Sequence, residues 1–475
     1  MPAQDTALHF REARELARAI RQRELSSRQV TVHFLDRIER APALCAYSEV
    51  TAERALALAD AADRLLAAGI LLGPLHGVPV AVKDSVQWEG VTASLGSSAL
   101  RGRVSGQTAA ALGKLAAQGL VVLGKTRMTE FAFGLSGQNA TQGTARNPWD
   151  AQTARAPGGS SSGAGVAVAA GLAPLALGGD TGGSVRAPAA LNGVVGYKPS
   201  TGVISRAGCL PLSETLDVLG PISRSVADAR LLTQLLAGPD LGDDTTLAFP
   251  ASAIAALNEP AARGAGPVAV LPPEAWPAPL ADAGLRTWHQ ALEQLARAGF
   301  TPTPWHPPAA LSFERMAQDN SLVLAYEAYR HYGALAEDPA QPLWEVVRAR
   351  IAAGGRISPA DYEAALLRRA ADMAAFAQAM AGVDALLMPA CDQAAQALDP
   401  DDTRHAGLGK LLRPANFLGS AAIALPAGYD AEGMPMGVQL LAPAGADAAL
   451  LDCAAALEPV LAPTARHPDL SAWGL

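Results

Sequence analysis

The sequence predicts an α/β fold with helices on both faces of a sheet, and three observations carry that expectation. Segments with apolar residues at helical spacing alternate with short apolar runs of strand length, the order expected of β–α–β units. Half of the residues are hydrophobic, 17% are charged and the mean hydropathy is +0.15, so a large core can form and bulk disorder is excluded. The length of 475 residues would allow three domains at about 150 residues each, yet a single α/β domain can also reach this size.

Taken in order, residues 7–40 carry Leu16, Ile20, Val30, Phe34 and Ile38 at helical spacing. A polar turn at 23–27 divides them into two helices. Ala52–Leu72, rich in Ala, Leu and Asp, reads as a third helix, and Gly77–Lys83 as a buried strand that ends in a charge. Gln107–Gln118 is helical in pattern and Leu120–Leu123 is a short buried strand. The longest apolar stretch, Ala164–Leu177, spans 14 residues and is interrupted by Gly and Pro. About 20 residues are needed to cross a bilayer, so it reads as a buried helix or strand. Residues 238–283 are rich in Pro, Ala and Gly and hold one strand, Val268–Leu271, before a helix near Leu285–Ala298. Ala385–Met388 and Met436–Leu441 read as late strands of the main sheet. Repeats, heptads and low-complexity tails are absent from the sequence. These readings give one domain over 1–475, with a core at about 70–235 and a variable insertion at about 238–345.

Charge and cysteine usage narrow the function classes. The net charge is −8, the isoelectric point about 5.6, and no block of like charges occurs, so a nucleic-acid platform has little electrostatic support. Cys45, Cys209, Cys391 and Cys453 are isolated in sequence, which argues against a zinc ribbon or a disulfide framework and fits small core residues in a reducing compartment. The opening segment has no apolar stretch of signal-peptide type. The expectation is a soluble, cytoplasmic protein with no membrane partner.

Two motif matches fail on physical grounds. Gly119–Thr126 fits the phosphate-loop pattern by letter, but its strand-forming residues lie between the glycines, where a loop of free amides is required. Gly159-Ser-Ser-Ser-Gly163 fits a nucleophile elbow centred on Ser161, yet the polar, proline-ended run before it is no buried strand. Three features remain: Lys83 at the end of an apolar strand, Ser160 in Pro157-Gly-Gly-Ser-Ser-Ser-Gly163, and Ser184 in Gly178-Gly-Asp-Thr-Gly-Gly-Ser184-Val-Arg. Singly, each reads more readily as structure than as chemistry.

Together they resemble the amidase signature family. Gly77-Val-Pro-Val-Ala-Val-Lys83-Asp84 is similar to that family's lysine motif, the Gly158-Gly-Ser-Ser run to its Gly/Ser motif, and the interval of 24 from Ser160 to Ser184 to its usual spacing. Gly193–Gly202, Met128–Phe131, Arg146–Pro148 and Gly433-Met-Pro-Met-Gly-Val-Gln439 also look like the family. Departures are Ser162 where Gly is commoner and Gly179 where Thr is commoner. The resemblance implies one α/β/α domain around a large twisted mixed sheet, a Ser-Ser-Lys triad, a cis peptide bond before Ser160, and no metal or organic cofactor.

On that resemblance Ser184 is the nucleophile, Ser160 a proton relay and Lys83 the base. The backbone N–H groups of Thr181, Gly182, Gly183 and Ser184 are candidates for the oxyanion hole. Such chemistry needs a base for the serine proton, donors for the oxyanion and an acid for the departing amine. A lysine serves as base only when burial lowers its pKa from about 10.4. Ser161, Asp180 and Arg186 are expected to support the loops through hydrogen bonds. The function expected is a free-standing hydrolase of a small or aryl amide through an acyl-enzyme, with carbamates or esters as side substrates. Its partners would be small molecules only, without nucleic acid, and a homodimer is left open. The alternative is an amidase-type subunit of a tRNA-dependent amidotransferase, working beside partner chains.

Overall fold

Eleven strands make one mixed sheet in the computed structural model, which describes residues 7–259, 264, 266–462 and 466–475. The first six residues of the opening segment and residues 260–263 and 265 of the 238–345 stretch lie outside the described residues. The strands are β1 (Tyr47–Val50), β2 (Pro79–Lys83), β3 (Val121–Thr126), β4 (Leu175–Asp180), β5 (Val195–Lys198), β6 (Val218–Ser223), β7 (Val268–Val270), β8 (Thr303–Pro304), β9 (Ala385–Pro389), β10 (Ala421–Tyr429) and β11 (Pro435–Ala442). Their order across the sheet is β1-β3-β2-β4-β6-β5-β10-β11-β9-β7-β8. β2 is parallel to both β3 and β4, and β7 to both β8 and β9; the remaining pairs are antiparallel.

The central strands form because their residues suit a surface covered on both faces. β2 (Pro-Val-Ala-Val-Lys) and β11 are buried at every position, as β-branched and small apolar residues in such strands are. Helix Ser162–Ala169 is buried all round and packs on β4 and β2. Its small residues allow that approach: a Cβ at Gly163 would lie 2.0 Å from the Ala46 carbonyl oxygen. Helix Arg186–Asn192 packs against β5, β10 and β11.

Most of the expected elements are present, with shifted ends. The first two helices run Ala13–Arg21 and Ser27–Arg40. Ser26 caps the second, accepting a hydrogen bond from the Gln29 N–H. The third stops at Ala67, not at Leu72, because Gly69 takes a φ of +81° and turns the chain. The strand expected at 120–123 runs on to Thr126 through Gly124. No phosphate loop therefore exists there, and Lys125 instead donates Nζ to the carbonyl oxygens of Asp84 and Val86. The 238–345 stretch contributes β7 and β8 to the edge of the same sheet, along with helix Asp282–Arg297.

Three helices not anticipated, Phe313–Glu337, Glu345–Gly354 and Pro359–Ala379, pack together with helix Ala406–Phe417 and stand beside the C-terminal end of β4. All four cysteines are free. None of the described helices is long and apolar enough to cross a membrane.

Candidate active site

Pairing of β2 with β4 in parallel brings the ends of both strands to one place. Lys83 closes β2 and Asp180 closes β4. The Lys83 side chain, 2% exposed, donates Nζ to Ser160 Oγ at 2.8 Å and to the Gly179 carbonyl oxygen at 3.1 Å. Its sequence neighbour Asp84 points elsewhere, accepting from Ser94 N, Ser94 Oγ and Gly96 N. Burial lowers the Lys83 pKa to about 8, against the opposing pull of the Asp217 and Asp180 carboxylates. A lysine so placed can be neutral near neutral pH and still be charged often enough to return a proton.

The two Gly/Ser loops meet in front of that ammonium. The Gly159–Ser160 peptide bond is cis, as the resemblance implies. Ser161 pins the loops together: its N–H donates to the Ser184 carbonyl, and its hydroxyl both donates to Gly179 O and accepts from Gly179 N. Asp180 organises the turn after β4, accepting from the Gly183 N–H at 2.7 Å, the Val185 N–H at 3.0 Å and the Arg186 guanidinium. The Arg186 charge beside it holds Asp180 well below the usual carboxylate range, despite complete burial. Gly183 has a φ of +121°, and a Cβ there would lie 2.6 Å from Leu412, so only glycine makes this turn.

One consequence refines the expected oxyanion donors. The Gly183 N–H is committed to Asp180. The N–H groups of Thr181, Gly182 and Ser184 make no hydrogen bond within the described residues. Those three are open to an incoming oxygen; Gly183 is not. Ser184 Oγ likewise has no hydrogen-bond partner among the described residues, Ser160 included, and Ser184 lines an open cleft.

Several participating residues were missed in the sequence. Asp217 accepts a 2.5 Å hydrogen bond from Thr181 Oγ1 and two more from the Leu212 and Ser213 N–H groups, fixing the side chain at the start of the open N–H row. Asn416 and Gln439 accept from Arg186. Gln439 lay in a recognised run without a role; for Asp217 and Asn416 no sequence signal existed. Among the aromatic residues near the cleft, Phe133 lines it. Phe131 is buried in a cluster with Tyr332, and Tyr326 stacks on Tyr362. No group of three or more His, Cys, Asp or Glu among the described residues is placed to hold a metal ion.

The family model described as Amidase matches residues 29–451. The chain is 38% identical over 482 residues to the A subunit of glutamyl-tRNA(Gln) amidotransferase from Acidothermus cellulolyticus, covering 94% of each chain. It is 34% identical to the protein of that name from Symbiobacterium thermophilum, covering 95% of this chain and 97% of the other. A crystal structure of an amidase superposes with a TM-score of 0.84 at 31% identity, covering 95% of this chain and all of that one. These relatives overturn the expectation of a free-standing small-amide hydrolase with no nucleic-acid partner, since their name is that of one component of an enzyme that serves a tRNA. The net charge of one chain says nothing about a polyanion held by other chains of an assembly, which is why the −8 charge does not exclude such a partner.

Proposed function

The chain belongs to the amidase family, hydrolases of carbon–nitrogen bonds other than peptide bonds, and we propose that it is the amide-cleaving component of a tRNA-dependent amidotransferase. The observation that carries this reading is the match over 94% of each chain, at 38% identity, to the A subunit of such an enzyme. In this role the chain frees ammonia from an amide donor, and its partner chains deliver that ammonia to glutamyl-tRNA(Gln). The place of work is the cytoplasm, where isolated thiols stay reduced.

Ser184 attacks the donor carbonyl carbon in this mechanism. Its proton passes through Ser160 Oγ to neutral Lys83, which the 2.8 Å Nζ–Oγ contact supports. The carbonyl oxygen becomes an oxyanion facing the open N–H groups of Thr181, Gly182 and Ser184. When the C–N bond breaks, Lys83 returns the proton and ammonia leaves, while Ser184 keeps the acyl group as an ester. Water then cleaves the ester by the same proton path, releasing a carboxylic acid and restoring the serine. Ser161, Asp180 and Arg186 hold the loops in register and touch no reacting atom.

The test is to supply glutamyl-tRNA(Gln), a primary amide and the other amidotransferase chains to the purified protein, and to measure glutaminyl-tRNA. Product is expected only when the chain and its partners are together, and Ser184→Ala abolishes it. Full amide turnover by the chain alone, with no product and no association in the mixture, would overturn the proposal.

A further inference from the structure

Each of the three open N–H groups after β4 is aimed by whatever holds the carbonyl of its own peptide unit. The peptide bonds of this turn are trans, and in a planar trans peptide the C=O and N–H point in opposite directions. A group that fixes the carbonyl of one residue therefore fixes the N–H of the next. The Gly183 carbonyl accepts from the Ala187 N–H at 2.7 Å, so the start of helix Arg186–Asn192 aims the Ser184 N–H from within the local sequence. The other two carbonyls are held from far along the chain. Asn416 Nδ2 donates to the Asp180 carbonyl at 3.0 Å, which aims the Thr181 N–H. Asn320 Nδ2 donates to the Thr181 carbonyl at 3.4 Å, which aims the Gly182 N–H.

Both asparagines are buried, on helices Ala406–Phe417 and Phe313–Glu337, which pack on each other. The Asn416 amide is set at both ends. Its Oδ1 accepts from Arg186 Nη2 at 2.6 Å, so Nδ2 faces the carbonyl, and the same Nη2 holds Asp180 Oδ1 at 3.0 Å. Asn320 is engaged at one end only, since its Oδ1 is buried with no hydrogen-bond partner among the described residues. A buried oxygen left without a partner costs stability, so packing alone gives no reason for an amide at this position. What the amide does supply is the N–H for Thr181. A Cβ at Gly182 would lie 3.4 Å from Asn320 Oδ1, which places the side chain against the very unit whose N–H it orients.

We infer that Asn320 and Asn416 are positioning residues for the oxyanion: they touch no reacting atom and act by turning the Gly182 and Thr181 N–H groups toward the oxygen that becomes charged. This role presupposes Ser184 as the nucleophile. Two of the three donors are thus aimed from the helices between residues 313 and 417, and one from the turn itself. The charged oxygen exists only once Ser184 attacks, so the two asparagines contribute to the rate of the step and not to binding before it.

The test is the rate at which a fluorophosphonate labels Ser184 in the full chain, where Ser184 Oγ displaces fluoride and the phosphoryl oxygen takes the place of the oxyanion. It needs neither partner chains nor a known amide donor. The maximal labelling rate should fall about tenfold in Asn320→Leu and in Asn416→Ala, part of the roughly 10²–10³ that outright loss of an oxyanion donor costs. The half-saturating concentration should stay within about twofold of the parent. In both variants the rate should still climb with pH to about 8, because the Lys83–Ser160 contact is untouched. Asn320→Leu keeps the branching of the amide and removes its unanswered oxygen, so it should melt no lower than the parent. Asn416→Ala also takes an acceptor from Arg186, and if that variant does not fold, Asn320→Leu decides alone. Parent-like labelling by Asn320→Leu, a loss accompanied by a lower melting temperature, a loss confined to the half-saturating concentration, or a shifted pH limb overturns the inference. A parent chain left unlabelled at Ser184 would sink the nucleophile with it. Asparagine-dependent labelling without partner-dependent transamidation would sink only the amidotransferase reading.

Discussion

Two regions face each other across the cleft, and they are built on opposite plans. The Lys83–Ser160–Ser184 side comes from strand ends and glycine-rich loops whose frame is hydrogen-bonded, Ser161 to Gly179, Asp180 to Gly183 and Arg186, Asp217 to Thr181, and which leaves the Ser184 hydroxyl and the Thr181, Gly182 and Ser184 N–H groups open among the described residues. The opposite wall comes from helices between residues 313 and 417; there Arg350 is paired with Asp402, whereas Arg413 has no hydrogen-bond or ion-pair partner among the described residues. A saturated network fixes atoms in place, which a proton path needs. The contrast sets a hydrogen-bonded frame from strand ends and loops on one side of the cleft against a wall of helices on the other.

The sharpest way to break that division is on the saturated side. Ser184→Ala should lower turnover by at least about 10³-fold with the fold intact, because loss of a nucleophile removes the acyl-enzyme route altogether. Labelling by a fluorophosphonate at Ser160 or Ser161, with Ser184 unmodified, would refute the assignment.

Lys83→Ala should come next, at about 10²–10⁴-fold on an amide. An amine leaves poorly without a proton and an alkoxide leaves more readily, so kcat/KM for the matched ester should fall less. Equal losses on amide and ester would remove the acid role from Lys83.

A smaller effect distinguishes support from chemistry. Wild-type kcat/KM should rise with pH up to about 8 and then level off, because Lys83 accepts a proton only when neutral and its pKa is lowered to about 8. Asp217 raises that value, so Asp217→Asn should move the rising limb to lower pH. It should also reduce the plateau by about tenfold, through loss of a charged acceptor for Thr181. A lower plateau with an unmoved limb would leave Asp217 a purely structural part.

The smallest effect belongs to the far side of the wall, where Arg368 pairs with Asp319 at 2.6 Å and remains 40% exposed. Arg368→Ala should cost about 1–3 kcal/mol of stability with turnover unchanged, because the Asp319 carboxylate is only 8% exposed and would lose both guanidinium hydrogen bonds. A larger loss in a denaturant titration, or a change in KM, would show that the wall is coupled to its outer face.

The sequence by itself determined the α/β class and the strand that ends in Lys83, and its motifs, through the family resemblance, singled out Lys83, Ser160 and Ser184. Those features are local: a buried strand needs consecutive apolar residues, and a glycine-rich turn must write its glycines next to the serine it presents. Only the tertiary structure decided which N–H groups stay free, because the Gly183 N–H is taken by a carboxylate three residues back whose direction no spacing reveals. It also decided the partners of Asp217 and Arg186, and the pairing of Arg350 with Asp402 that leaves Arg413 without a partner among the described residues. Such contacts join residues tens to hundreds of positions apart, through helices whose periodicity records only which face is buried. An arginine on such a helix looks the same in sequence whether its charge is answered by the protein or left for a ligand.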